Sequence, residues 1–267
     1  MDANGSNDAD TTSSEPKVED ARLVGSDRVL AVLRELAEHP EGIGLDELSR
    51  RLSSSKPTVH RALVSLRKAG LAGQSGRGFY VLGDEFLRLA FRYQDQRPEN
   101  ARIEPLLRTL ATRYGETTHY AILDGRDVVY RAKVDPAQGA MRLTSAIGGR
   151  NPAYRTAVGK LLLSYVISSE AELVRWLGPE PLVARTPHTF VTTRALFDEL
   201  QASRHRGYGI DNQENELGVN CVALPVYLEP GRLPSGAVSI SGLAFRCQLE
   251  ELVSAIPAIR ATIDSEF

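Results

Sequence analysis

The chain has 267 residues, of which 42% are hydrophobic and 25% charged, and its formal net charge is −2 at pH 7. This length accommodates two domains, and the composition is that of an ordinary globular protein. Two widely separated cysteines, Cys221 and Cys247, exclude a disulfide framework and a Cys-x-x-Cys metal site. The first twenty or so residues contain no apolar core of a signal peptide, and no run of about eighteen apolar residues occurs, so we expect a cytoplasmic protein.

Positive charge is concentrated in one segment. Seven Lys and Arg residues and no acidic residue lie between Leu48 and Gly83, whereas the rest of the chain holds 25 Lys and Arg against 34 Asp and Glu. A local excess of positive charge on an acidic protein is typical of a polyanion site. Because charge alone does not distinguish such a site from a solvated helix face, the surrounding pattern has to decide.

Two short amphipathic helices are predicted, one before this basic segment and one that overlaps its start. The first runs through SDRVLAVLRELA, with Ser26 and Asp27 as capping candidates and Pro40 beyond its end. The second is LDELSRRL, with Asp46 and Glu47 in its first turn, where the helix dipole favours anions. Periodicity predicts that the first helix buries Val29, Leu30, Leu33, Leu36 and Ala37.

A third helix presents the polar residues of the candidate nucleic-acid site. It begins after SSS, where a serine can cap it and Pro57 is tolerated, and it ends at Gly70. Its buried stripe should comprise Val59, Ala62, Leu63 and Leu66. The residues expected to contact DNA are Ser55, Lys56, Pro57, Thr58, His60 and Arg61.

Two strand-like pieces around a glycine-rich turn follow in LAGQSGRGFYVLG, with Arg77 at the tip. Two helices joined by a tight turn and followed by such a hairpin predict a winged helix-turn-helix. In that arrangement the third helix enters the major groove and the wing lies beside the phosphates. We therefore expect duplex DNA as a partner, with Arg77 contacting its backbone.

DEFLRLAFRYQDQRPEN predicts an amphipathic linker helix, with Phe86, Leu89, Ala90 and Tyr93 on one side. This side can pack against its own chain or pair with a second copy. A homodimer suits palindromic DNA sites, which call for two-fold symmetric proteins. The predicted organisation is a disordered acidic tail at 1–22, the winged helix-turn-helix at 23–83, the linker helix at 84–98 and a second domain at 99–267.

The second domain has strands at both ends and helices between them. ARIEPLLRTLATRYG predicts a helix closing at Gly115, and a hairpin turns around Asp124 and Gly125. MRLTSAI is a predicted third strand, three helices follow, VNCVALPVYL and GAVSISGLA return as strands, and QLEELVSAIPAIRATIDSEF predicts a closing helix. This order favours an α+β domain around one mostly antiparallel sheet.

In this order, KPTVHRALVSLRKAGL, the wing, AIGGRNPAYRTAVGK, RGYGIDNQENELGVNCVALPV and GAVSISG resemble the isocitrate lyase regulator (IclR) family of bacterial transcription factors, from Ser26 to the end. The resemblance implies a winged helix-turn-helix joined by a linker helix to a GAF-like effector-binding domain, assembled as dimers or dimers of dimers. It implies a transcriptional regulator, more specifically a repressor, whose operator affinity changes when a small metabolite binds to the second domain. One departure is Pro57, where the family would place a serine, so that any hydroxyl contact from this position is lost.

The resemblance also implies where the metabolite binds. It assigns Met141 to an apolar wall, Ala157 and Val158 to a helix start whose N–H groups can receive a carboxylate, and Asp211, Cys221, Ser239 and Ser241 to the polar lining. From the residues themselves, Ser239 and Ser241 share one face of a strand because they alternate with Val238 and Ile240. Asp211 could equally be a surface turn residue. Asp211, as an acidic side chain in a pocket for anions, needs a hydrogen-bond partner. The expected effector is therefore either a small organic acid or a sugar-derived molecule.

The alternative is a metabolite-processing enzyme domain fused to a DNA-binding module. The five histidines are scattered, without the i, i+4 pairing of a helical metal site, so no metal is expected. Cys221 would need a general base, and a free cysteine in a strand is typically a small buried hydrophobe. Gly148, Gly149 and Lys160 lack P-loop spacing. We therefore expect no catalytic residue and no cofactor.

Overall fold

The structure is a computed structural model that describes residues 25–76, 78–96, 98–136 and 143–267. The chain divides into two compact units, of which the first ends at Gln94 and the second is Asp95–Phe267. Within these described ranges, no helix is long and apolar enough to cross a membrane.

The first unit combines short helices with a small antiparallel sheet. The elements in chain order are α1 (Ser26–Ala37), β1 (Ile43–Gly44), α2 (Leu45–Arg51), α3 (Lys56–Lys68), β2 (Ala72–Ser75), β3 (Phe79–Leu82) and α4 (Asp84–Asp95). The strands lie in the order β1-β3-β2, so that β2 and β3 form the two sides of the predicted wing. This element order is the winged helix-turn-helix that the sequence predicted.

The core of this unit confirms the buried face of α3 and corrects that of α1. Val59, Ala62, Leu63 and Leu66 are all buried. In α1, however, Leu30 is 58% exposed and Val32 is fully buried. Val32 and Leu36 are spaced by one turn, so they face α3 together, whereas Leu30 lies beyond the edge of that face.

The cap predicted for α1 is wrong, and the serine cap predicted for α3 is right in position but forms no capping hydrogen bond. α1 has Gly25 at its N-cap position and no side-chain cap from Ser26 or Asp27. Ser55 is the N-cap residue of α3, yet its hydroxyl lies 2.8 Å from the Thr58 hydroxyl and does not bond a backbone N–H. The hydroxyl of Ser55 is therefore engaged by a side chain of the candidate DNA-contacting face.

The second unit is built on one six-stranded antiparallel sheet. Its elements are α5 (Pro98–Tyr114), β4 (Thr117–Asp124), β5 (Asp127–Val134), β6 (Arg150–Pro152), α6 (Ala157–Val166), α7 (Glu170–Leu177), α8 (Thr193–Arg206), β7 (Gly209–Asn212), β8 (Val219–Val226), β9 (Gly236–Leu243), α9 (Leu249–Ser254) and α10 (Ile256–Asp264). The strands lie in the order β6-β5-β4-β9-β8-β7, and a 3-10 turn at Ala153–Arg155 leads into α6.

Helices cover both faces of this sheet. Tyr120 and Val238 belong to one apolar core together with α5, α9 and α10. Ala121, Cys221 and Ala237 belong to the other, together with α6, α7 and α8. Because successive strand residues point to opposite faces, the odd-numbered residues of β8 and β9 face α6. The fold is the expected α+β arrangement.

Two predicted elements of this unit are wrong. Residues 141 and 142 of MRLTSAI lie outside the described residues, and 143–147 form no strand; the pairing with β5 is made by β6 instead. The closing helix is broken at Ala255 into α9 and α10. Pro257 lies in the first turn of α10, and its missing N–H and its ring disfavour one continuous helix.

The strand β7 was not predicted, although it contains Asp211. Its sequence GIDN is poor in strand-forming residues, so the local pattern favours a turn. The strand forms because it pairs with β8 and because Gly209 packs closely against α6, where a Cβ would clash with the Ala157 carbonyl oxygen. Tertiary packing therefore forms β7, a strand that the local sequence does not predict.

Candidate nucleic-acid interface and effector cavity

The outward face of α3 presents a cluster of hydrogen-bonding side chains. Pro57, His60 and Arg61 are exposed, and the Lys56 side chain is 59% exposed. Arg61 Nη2 donates to Thr58 Oγ1 at 3.4 Å. The helix therefore leaves its donors directed away from the core, as a reading helix requires.

Acidic residues of α2 partly compensate the bases of the acid-free segment. Lys56 Nζ lies 2.8 Å from Asp46 Oδ1, and Arg51 Nε donates to Glu47 at 2.9 Å. Arg50 also pairs with Glu47. These pairs are exposed and weakly stabilising, so phosphate groups can replace the carboxylates at small cost.

Two other predicted features bear on this interface. Arg77 lies outside the described residues, so its placement on the wing stays a prediction. On α4, Phe86 is 37% exposed, Leu89 46% and Tyr93 57%. These three side chains lie on one side of the helix because they are three and four residues apart, and an exposed apolar side is a feature that marks interaction sites in soluble proteins.

The second unit contains a cavity of about 340 Å³ on the α6 side of its sheet. It is lined by residues of the β4–β5 hairpin, of β7, β8 and β9, and of the start of α6. Met141 lies outside the described residues. The cavity lining includes all six other residues that the resemblance implied, namely Ala157, Val158, Asp211, Cys221, Ser239 and Ser241.

Strand register brings the polar residues together. Asp211 pairs with Cys221 across β7 and β8, and Cys221 pairs with Ser241 across β8 and β9. The Ser241 hydroxyl donates to Cys221 Sγ at 3.0 Å. Burial, with Asp211 nearby, raises the pKa of Cys221 to about 12, so it is a thiol at neutral pH. Cys221 and Ser241 therefore offer neutral hydrogen-bonding groups on one wall of the cavity.

The start of α6 forms another part of the cavity lining. Thr156 is the N-cap residue, and its hydroxyl accepts from the Gly159 N–H at 3.0 Å. Ala157 and Val158 occupy the first turn, whose N–H groups have no intrahelical acceptor. Together with the positive end of the helix dipole, this turn favours an anion.

Asp211 is a buried cavity residue, which excludes the surface-turn alternative. Its residue is 6% exposed, and its Oδ1 accepts the backbone N–H groups of Glu214 at 2.7 Å and Asn215 at 3.3 Å. Burial, followed by the nearby Glu214 carboxylate, raises the pKa of Asp211 to about 7. This carboxyl group therefore exchanges a proton near neutral pH.

The sequence reasoning missed His119, Tyr130, Arg155 and Arg185 as cavity residues. His119 Nε2 lies 2.8 Å from Ser145 Oγ, and its ring centroid is 4.8 Å from that of Tyr130. Burial, then repulsion from Lys133, lowers the pKa of His119 to about 3. His119 pairs with Ser239 in register, so strand alternation would have identified it.

The chemistry of these groups gives no support to nucleophilic catalysis. A cysteine nucleophile needs a lowered pKa and an effective general base, whereas burial holds Cys221 as a thiol and makes His119 a weak base. Among the residues that the structure describes, no group of three His, Cys, Asp or Glu side chains could hold a metal ion.

A winged helix-turn-helix followed by an α+β unit with a polar cavity defines the class of ligand-responsive transcriptional regulators. Residues 26–76 match the IclR helix-turn-helix domain, and residues 93–265 match the domain described as bacterial transcriptional regulator IclR C-terminal. The chain therefore belongs to the IclR family of bacterial transcriptional regulators.

Individual relatives agree with this assignment. The HTH-type transcriptional regulator XynR of Escherichia coli is 33% identical over 85% of this chain and 89% of its own. The acetate operon repressor of Salmonella typhimurium is 34% identical over 80% of this chain and 78% of its own. The crystal structure of the Thermotoga maritima IclR superposes with a TM-score of 0.73, at 27% identity, over 90% of this chain and 96% of its own. These relatives are named as regulators, so the enzyme alternative is not supported.

Proposed function

We propose that this protein is a repressor that binds duplex operator DNA as a homodimer and changes its operator affinity when a small metabolite occupies the second unit. The observation that supports this most directly is the outward face of α3, with Lys56, His60 and Arg61 exposed on a helix-turn-helix. Residues 23–83 read the DNA, residues 84–98 link and pair the protomers, and residues 99–267 hold the effector.

In this proposal α3 lies in the major groove. Arg61 contacts base edges, because guanidinium donors match the acceptors of guanine, and Thr58 and His60 supply further hydrogen bonds. Ser55 and Lys56 at the helix start contact phosphates, and Pro57 packs without donating. Arg77 on the wing adds a phosphate contact.

The effector of this proposal is a small organic acid. The first turn of α6 favours an anion, and Arg155 and Arg185 add positive charge to the lining. Ser239 and Ser241 offer hydroxyls that bind the remaining polar groups. A sugar-derived molecule is the second candidate, since these hydroxyls and Asp211 also suit a polyol.

Salt dependence tests the DNA-binding half. A duplex selected from a random library is titrated with the protein, and affinity is followed by fluorescence anisotropy. If a dimer neutralises roughly 6–10 phosphates, affinity falls about 10³–10⁵-fold between 50 and 200 mM salt. Binding that does not depend on salt would contradict the proposal.

Arg61→Ala tests whether α3 reads sequence. We expect the variant to lose about 1–3 kcal/mol of affinity for the selected duplex and to discriminate less against changed base pairs. Arg108→Ala serves as the matched control, because Arg108 is an exposed helical arginine of the second unit that pairs with Glu104. Equal affinities of the Arg61→Ala variant and the wild type would rule out this role for α3.

A further inference from the structure

The effector cavity borders a cluster of charged residues, three of which are buried. Lys160 is fully buried, and its Nζ lies 2.5 and 2.6 Å from the two carboxylate oxygens of Glu214. The same Nζ is 3.4 Å from Glu199 Oε1, which also accepts from Arg206 Nη2 at 2.7 Å. We call Lys160, Glu199, Arg206, Asp211 and Glu214 the charge cluster, of which Glu199 and Arg206 are half-buried.

This cluster has one carboxyl group more than it has cations. Lys160 neutralises Glu214, and Arg206 neutralises Glu199. Asp211 is joined to the cluster through its hydrogen bond from the Glu214 N–H. Within the described parts of the chain, Asp211 forms no ion pair. A buried carboxylate without a cation is costly, and such a group takes up a proton instead.

The strands around Asp211 supply no charge that would replace a cation. Burial raises the pKa values of Cys221 on β8 and of Tyr130 on β5 to about 12, so both are neutral. His119 on β4 is neutral because burial lowers its pKa to about 3. Because these three groups are neutral, the charge on Asp211 is determined by the charged residues of the cluster and by the molecule that occupies the cavity.

The remaining charged groups of the lining come from loops and from β6. Arg155 of the 3-10 turn donates through Nε to Asn215 Oδ1 at 2.8 Å. Arg150 is engaged by Asp124 and Asp127, and Glu216 is exposed. Arg185 also lines the cavity. Of these groups, Arg155 and Arg185 favour an anion in the cavity, and neither forms an ion pair with Asp211 among the residues that the structure describes.

We propose that Asp211 binds the organic acid of the proposed function as a protonated acid, donating its O–H to a carboxylate oxygen of the ligand. The inference rests on the effector site of the proposed function and deepens it. The proton comes from solvent when the ligand enters and returns to solvent when the ligand leaves. This explains how an acidic residue lies in a cavity that otherwise favours anions.

Proton uptake makes ligand affinity depend on pH. Burial and Glu214 raise the pKa of Asp211 to about 7, and a negatively charged ligand raises it further. Carboxylate affinity then falls as pH rises above neutrality, by up to about tenfold per pH unit. A neutral ligand has no such dependence, so pH distinguishes an acid from a sugar.

The first experiment follows the Asp211 side-chain carbon by ¹³C NMR in the full chain, from about pH 5 to about pH 9. Asp211→Asn identifies the signal. We expect a midpoint near neutral pH that rises by half a unit or more with saturating acetate and is unmoved by glycerol. A midpoint below about pH 5, or a ligand-bound midpoint that acetate leaves unchanged, would overturn the proposal.

Two variants separate the cluster from general effects on the cavity. Glu214→Gln removes one carboxylate, so that the acids and the cations of the cluster balance when Asp211 is ionised. The midpoint of the Asp211 titration should therefore fall by at least one pH unit. Glu216→Gln is the matched control, because Glu216 is an exposed glutamate two residues further along the same loop. Equal midpoints in both variants would contradict the role of the cluster.

Acetate binding is then measured by NMR titration at two pH values. Wild-type affinity should be lower at about pH 9 than at about pH 6 by the factor that the midpoint shift sets, about threefold for half a unit and tenfold for a whole unit, and Asp211→Asn should show no difference. Failure of acetate to bind at any pH would contradict the carboxylate assignment. If Asp211 behaves as described but no acid changes operator affinity, only the proposed regulatory function fails.

Discussion

Single residues of the cavity show how burial sets protonation. His119 and Asp211 are both almost fully buried, and burial disfavours the charged form of each. It lowers the pKa of the histidine and raises that of the acid. As pH rises, the titration of His119 therefore stabilises the folded state, and that of Asp211 destabilises it. Substituting one of the two residues isolates its own contribution to the pH dependence of stability.

Asp211→Asn should be more stable than the wild type at pH 8, with a smaller difference at pH 5. The wild-type Asp211 has a pKa of about 7 in the folded state and an ordinary value of 3.8 in the unfolded state. Folding therefore favours the protonated form, and this stability is present below about pH 4 and lost as pH rises through 7. The difference reaches at most about 4 kcal/mol, because each pKa unit corresponds to about 1.4 kcal/mol.

Urea unfolding at the two pH values measures this difference. Trp176 is the single tryptophan of the chain and lies in α7, so its fluorescence reports the second unit alone. A stability difference that is the same at both pH values would show that Asp211 does not titrate on unfolding.

Lys160→Met should destabilise the second unit by about 3–5 kcal/mol. Methionine leaves Glu214 without its buried cation, and an uncompensated buried charge costs this much in other proteins. Arg108→Met, at an exposed ion pair, should cost less than about 1 kcal/mol. Similar losses in the two variants, measured by Trp176 fluorescence, would contradict a structural role of Lys160.

At the scale of elements, the sequence predicted those with strong periodicity or clear punctuation. The buried stripe of α3 and the hairpin around Asp124 and Gly125 agree with prediction because apolar spacing and turn residues determine them locally. β7 was missed because its pairing depends on β8 and on the close approach of Gly209 to α6. Such long-range causes leave no local pattern.

The same distinction holds for the candidate sites. Ser239 and Ser241 could be placed on one strand face from alternation, whereas Asp211 could not be distinguished from a turn residue. The charge cluster was not predictable, because Lys160 and Glu214 are far apart in sequence and meet only after α6 packs beside β7. A contact between residues so distant in sequence cannot be inferred from residue types alone.

The apolar surface of α4 predicts that Leu89→Asp weakens a homodimer. A charge placed in an apolar contact is desolvated without a partner, so we expect the dimer to dissociate at concentrations where the wild type stays paired. Leu30→Asp is the matched control, since Leu30 of α1 is 58% exposed and Leu89 46%. Analytical ultracentrifugation distinguishes the two, and a wild-type monomer at micromolar concentration would disprove the contact.

At the scale of the whole molecule, regulation requires that effector binding and operator binding change each other. A ligand shifts the balance between DNA-binding and non-binding dimers only through its different affinities for them. Typical coupling energies are about 1–3 kcal/mol, or roughly 5–150-fold in affinity, and linkage makes the effect reciprocal. Operator DNA must therefore change effector affinity by the same factor as the effector changes operator affinity.

Calorimetric titration of an effector found by thermal-shift screening of organic acids and sugars, with and without operator duplex, measures this coupling directly. The pair Ser239→Ala and Ser241→Ala should weaken effector binding and leave operator affinity without effector unchanged, because both serines line the cavity of the second unit. Val191→Ala, at a 49% exposed position, is the control that should alter neither affinity. Equal effector affinity with and without operator would refute the switch, and unchanged effector binding by the double variant would place the effector elsewhere.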